Sequence, residues 1–253
     1  MNNISATDQR ALLTRLAERI IGYDPKVISE KGLWLAKLGI TDTVGVTLAG
    51  LPEASTQIAL GTPGVATAPG SALVFGTGRR TSALDAAFVN GIASHALDFD
   101  DFSSVFGGHQ SVPLVAPLFA LAEDRGLSGQ NLITACAVGL EAEMRLARAV
   151  HAHHYDKGWH PTATLGIFGT VAGTARLIGL SVEQTAMALA MAASLASGLK
   201  ANFGTMTKPL HVGHSARSGV LAVLLAEQGH DANPGAMEHH QGFFEVFNGA
   251  GTY

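Results

Sequence analysis

Four polar stretches in an otherwise apolar sequence hold the residue types needed for acid–base chemistry. They are Asp98-Phe99-Asp100-Asp101, Gly107-Gly108-His109, Gly158-Trp159-His160 and Thr207-Lys208-Pro209-Leu210-His211. Three carboxylates within four residues at the end of a helical pattern repel one another and face the negative end of the helix dipole. Such a run is either a solvated turn or, through a carboxyl with a raised pKa, a proton carrier. His109 sits on a glycine turn shortly before a helix start, and His160 lies at the mouth of another helix. Lys208 precedes Pro209, which pushes the lysine backbone out of the helical region and predicts that its side chain leaves a turn. A cation beside the unpaired amides of a helix start suits an anionic substrate group. If the four stretches converge, they place a carboxylate, two imidazoles and an ammonium in one apolar cavity. That set fits proton transfer on a small carboxylate substrate: a cation to hold and polarise it, with an acid and a base for the carbon and the leaving group.

The elements that must position these groups read as helices nearly everywhere. Apolar stripes or small-residue runs predict helices from Leu13 to Ile20 and over 26–51, 82–97, 130–151, 164–178, 182–197 and 215–228. Ser111 is expected to cap a further helix running through Leu121. Ser181 and Gln184 have the spacing of a capping box. Residues 61–80 form the longest loop, rich in glycine, within which only 72–75 could be a strand. Glu141, Glu143, Arg145 and Arg148 read as an exposed helix face with pairs at helical spacing. Met187 and Met191, four apart, read as core. The expectation is an all-α helical bundle with its polar islands at helix ends.

Composition narrows the classes. Hydrophobic residues make up 47% of the 253 and charged residues 14%, too little charge to cover a monomer's surface. Burial of part of that surface against another subunit or a further domain is therefore expected. A net charge of -4 and a pI near 6.2 leave no basic footprint for nucleic acid. One cysteine, Cys136, can make neither an internal disulfide nor an iron–sulfur site alone. Gly76-Thr77-Gly78 lacks the third glycine of a dinucleotide turn, and there is no phosphate-binding lysine loop. His151, His153, His154 and His160 have neither zincin nor finger spacing, so no metal is expected. No signal sequence or membrane-length apolar run is evident, which leads to the expectation of a cytoplasmic protein without a membrane partner.

Several of these runs carry a resemblance. Ala86-Ala87-Phe88-Val89-Asn90-Gly91, His95-Ala96-Leu97-Asp98-Phe99-Asp100-Asp101, Gly108-His109, Gly158-Trp159-His160-Pro161-Thr162, Gly204-Thr205-Met206-Thr207-Lys208-Pro209-Leu210-His211 and Ala216-Arg217-Ser218-Gly219 resemble the MmgE/PrpD family, in its order. The resemblance covers the chain from about residue 10 onward. It implies a helical N-terminal domain, a homodimer, and cofactor-free chemistry on a small di- or tricarboxylate. It also implies that Asp98, His109, His160 and Lys208 line the active site, and Thr207 and His211 are assigned with Lys208 to substrate binding. The reaction expected first is dehydration of the 2-methylcitrate type, a carbon–oxygen lyase reaction. Epimerisation or decarboxylation through the same carbanion-like intermediate is the alternative, and a non-catalytic helical dimerisation module is the reading from another class. Two positions depart from the family pattern: Phe102 stands where threonine is common, and Gln110 follows His109 where proline is usual. Family members carry a second, α+β domain, so 1–253 reads as the helical domain, with 230–253 an irregular tail leading toward that second domain.

Overall fold

The computed structural model describes residues 11–150, 152–249 and 253. His151, at the end of the helix read over 130–151, lies outside them. Among the described residues the α-helices are α1 (Leu12–Ile21), α2 (Glu30–Gly50), α3 (Ala54–Gly61), α4 (Ala83–Ser94), α5 (Val112–Arg125), α6 (Gly129–Val150), α7 (His153–Asp156), α8 (Pro161–Thr164), α9 (Gly166–Ile178), α10 (Val182–Leu195) and α11 (Thr207–Glu227). Strands β1 (Ala72–Leu73) and β2 (Arg80–Thr81) pair antiparallel inside the glycine-rich loop. The fold is all-α, as the periodicity predicts.

Helix α9 is the axis of the bundle. Every residue from Gly166 to Ala175 is buried, which its alanines and glycines permit because they let other helices close on all sides. It packs against α6, α5, α11 and α10. Phe168 and Leu189 are buried in one core cluster, and Leu114 and Leu118 in a second. The capping box of α10 forms as read: Ser181 Oγ accepts from Gln184 N, and the Gln184 side chain accepts from Ser181 N.

Two expectations are corrected. Helix α11 starts at Thr207, eight residues before the predicted 215, so Lys208 lies in its first turn and leaves a helix and not a loop. The reason is that Pro209 falls where no intrahelical N–H is required, so it is accommodated as part of the first turn. The second correction is Glu143, expected on an exposed face but 0% exposed at the α6–α9 crossing. Gly169 opposite it has no side chain to fill that space. In the tail, Phe243 and Phe244 are buried in the core, and a π-helical turn spans Phe244–Asn248. Trp159 Nε1 donates to the Phe247 carbonyl at 3.0 Å, which fastens this segment over the turn that bears His160.

The crossing of α4 and α11 sets the position of the polar islands. A Cβ at Gly213 would lie 2.5 Å from the Phe88 carbonyl oxygen, and one at Gly91 would lie 2.9 Å from Gly213 Cα. Glycine at both positions therefore lets the two backbones touch. The C-terminal end of α4, which leads into His95 and the acidic run, is thereby held beside the first turns of α11, which carry Lys208 and His211.

Candidate active site

The acidic run leaves α4 through a left-handed residue. Asp98 has a φ of +58°, a conformation that aspartate tolerates better than most residues and that recurs where side-chain direction is functional. Its carboxylate forms a short ion pair with Lys208 Nζ and lies 3.3 Å from His109 Nε2. Asp100, two residues on, is buried with its side chain fully covered. Its Oδ2 is 2.8 Å from His95 Nδ1 and 3.0 Å from His109 Nδ1, and its carbonyl is 3.1 Å from the same His109 nitrogen. The third carboxylate has a different task. Asp101 accepts from Ser111 N at 3.2 Å, Ser111 Oγ at 2.6 Å and Gln110 Nε2 at 2.7 Å. It thus satisfies the Ser111 amide just before α5, and Gln110 holds it in place. Ser111 caps through this aspartate, having no side-chain cap hydrogen bond of its own.

His109 reaches the site because its turn docks on α8. Gly108 packs so closely that a Cβ there would lie 2.7 Å from Thr162 Oγ1, and His109 N donates to that same oxygen at 3.0 Å. His160 precedes α8, and its N–H donates to the Gly198 carbonyl at 3.0 Å. That clamp brings it against α11, where its Nδ1 is 3.2 Å from His211 Nδ1. His95 joins the two halves: its ring centroid is 4.7 Å from that of His109 and 5.6 Å from that of His160. Phe203 closes the circuit, edge-on to His160 at 4.8 Å and beneath Lys208 Nζ at 5.2 Å.

Asp98, His109, His160 and Lys208 therefore meet, together with His211. Thr207 does not join them. It lines an apolar cavity with Ser55, Ile58, Phe88 and Leu210. His95 and Asp100 were not singled out from the sequence for their own chemistry. The available signal was a polar pair five apart across the end of an apolar helix.

Protonation follows the carboxylates. Burial pushes Asp98 up, but the Lys208 ammonium outweighs it and holds the carboxyl below its usual range, so the raised pKa expected for the run does not occur there. Burial likewise opposes ionisation of Asp100, and hydrogen bonds from His109 and His95 overcome it and hold the carboxyl far down. Only Asp101 is raised, by burial. Burial disfavours a charged His109, yet its hydrogen bond to Asp100 raises it above the ordinary imidazole value. His95, His160 and His211 are all lowered, chiefly by burial, with neighbouring histidines adding to it and Lys208 also acting on His95 and His160. The site thus sets carboxyls held low at Asp98 and Asp100 and an imidazole raised at His109 beside imidazoles lowered at His95, His160 and His211.

His95, Asp98, Asp100 and His109 offer ligand atoms within 4.8 Å of one another and could gather on a cation. In the structure those donors face one another and Lys208.

The family model of the MmgE/PrpD N-terminal domain matches residues 14–253, and the chain belongs to that family. It is similar to cis-aconitate decarboxylase of Homo sapiens, at 39% identity over 163 residues, which is 62% of this chain and 34% of the relative. The Mus musculus cis-aconitate decarboxylase is 37% identical over 62% of this chain and 33% of the relative, and the Aspergillus terreus one 32% identical over 71% and 38%. The matches thus take in about a third of each relative's length. No helix among the described residues is long and apolar enough to cross a membrane.

Proposed function

We propose that this chain is the helical part of a lyase that acts on a small unsaturated polycarboxylate and removes one carboxyl group as CO2. One observation carries the reading: a raised, protonated imidazole and an ammonium converge on the same Asp98 carboxylate. A substrate carboxylate is drawn to this pair of cations. Cleavage of the carbon–carboxyl bond releases CO2 and leaves an electron pair conjugated with a second carboxylate, where Lys208 stabilises the added negative charge. His109 Nε2 then delivers one proton to the carbon that bears that charge, which completes the exchange of CO2 for H+.

The decarboxylating relatives support this reaction over dehydration. A separate observation keeps the second reading: His160 and His211 stand with their Nδ1 atoms 3.2 Å apart, which offers imidazole nitrogens as acceptors, so abstraction of an α-proton there with His109 protonating a departing hydroxyl suits a 2-methylcitrate-like substrate. We further propose a homodimer, supported by the exposed Trp34, Leu35 and Leu38 on α2 and read by light scattering.

The test is NMR of the chain in deuterated water with cis-aconitate and, separately, 2-methylcitrate. Carbon-13-labelled CO2 with deuterium in the product supports decarboxylation, and loss of water supports dehydration. Lys208→Ala should lower either rate about a hundred- to a thousandfold with the far-ultraviolet circular dichroism unchanged. A folded chain inert toward both compounds would favour a non-catalytic helical module.

A further inference from the structure

Asp100 is the one carboxylate of the site that no solvent reaches, and it touches two imidazoles at once. We propose that Asp100 is a positioning residue: its buried carboxylate binds both His95 and His109 through Nδ1, and so presents His109 Nε2 to the substrate as a proton donor. The catalytic consequence rests on the lyase reading above; the positioning itself does not.

The argument is one of hydrogen-bond valence. An ionised carboxylate only accepts, so both ring nitrogens on Asp100 Oδ2 must be N–H donors. Each imidazole is thereby fixed with a proton on Nδ1. What differs is the other nitrogen. His109 Nε2 faces a second carboxylate, Asp98 Oδ1, at 3.3 Å, so a proton there has an acceptor and the ring is held as imidazolium. His95 Nε2 is buried with no partner, so a proton there would be an orphaned donor and the ring stays neutral. One carboxylate thus holds one charged and one uncharged histidine, and His95 anchors Asp100 without competing for the charge.

The arrangement is costly as mere packing. Asp100 Oδ1 is also buried without a partner, and a pair of apolar side chains would fill the same space without burying an ion. What a hydrocarbon cannot do is set the proton positions of the ring that faces the substrate. The charged or titratable groups around His109 are His95, Asp98, Asp100 and Lys208, and of these Asp100 has the larger part in raising it.

The experiment is long-range nitrogen–proton NMR of histidine-labelled chain, without substrate. In the wild type, His95 should be neutral with its proton on Nδ1, and His109 should carry both ring protons at neutral pH. Asp100→Asn should lower the His109 titration midpoint by about one pH unit or more, whereas Asp100→Glu should largely retain it. In turnover, Asp100→Asn should reduce kcat while leaving KM, and should move the alkaline limb of the pH profile with the His109 midpoint. An unmoved midpoint in Asp100→Asn, or a wild-type His95 with its proton on Nε2, overturns the proposal. If Asp100→Asn does not fold, the wild-type protonation pattern decides alone. A wild type with the expected protons but no activity toward any polycarboxylate would defeat the lyase reading and leave the positioning role standing.

Discussion

His109 and His160 are both largely covered imidazoles at the starts of helices, yet their pKa values move in opposite directions. His109 is raised above the ordinary imidazole value and His160 is pushed well below it. Burial lowers both. The difference is that His109 faces two carboxylates, whereas His160 faces His211 and Phe203. Buried carboxyls repeat the pattern: Asp100, with two imidazole donors, is held ionised, while Glu143, with neither oxygen partnered, is pushed well up by burial. In this domain the nearest partner, and not depth, decides which groups are charged.

The sharpest way to break the comparison is to remove the acid. His109→Gln should lower turnover about a hundred- to ten-thousandfold while the chain stays folded, measured as CO2 release. A loss below tenfold would mean that His109 does not deliver the proton. Next in size is the pH profile. His109 is raised, so its imidazolium is fully present below pH 6.5 and is lost as pH rises through the folded value. Activity that depends on it should therefore fall on the alkaline side, and the stability contributed by the His109–Asp100 pair should fade over the same window. A rate that rises there would assign the group to a base instead.

His211→Asn should have a smaller effect, about tenfold on decarboxylation, because the pair transfers no proton to or from the substrate in that reaction. A loss as large as that of His109→Gln would favour dehydration, in which the pair is the base. The smallest effect concerns Glu143. Its raised folded value makes its contribution present below the ordinary 4.5 and lost as pH rises toward that folded value. Glu143→Met should therefore stabilise the chain at pH 8 by about 1–3 kcal/mol in denaturant unfolding, leaving turnover unchanged. Equal or lower stability would show that the carboxyl is held by a group that hydrocarbon cannot replace.

Much of the bundle was legible because helix periodicity and end signals are local. The capping box at Ser181 formed, and the helix read over 130–151 appears as Gly129–Val150. Boundaries failed where local preference met a position that tolerates it, as at Lys208-Pro209 in the first turn of α11. Glu143 failed for a different reason. Its spacing from Arg145 and Arg148 suits a solvated face, and only the approach of α9 at Gly169 covers it.

By itself the sequence offered Asp98, His109, His160 and Lys208 as candidates, because they fall at helix ends in an apolar chain and their order resembles that of the family. Tertiary structure alone decided their charges and their partners. Asp98 meets Lys208 across 110 residues, and His160 meets His211 across 51. A proton's position depends on what stands within hydrogen-bonding distance, and the close crossing of α4 and α11 at Gly91 and Gly213 sets that distance for the Asp98–Lys208 pair.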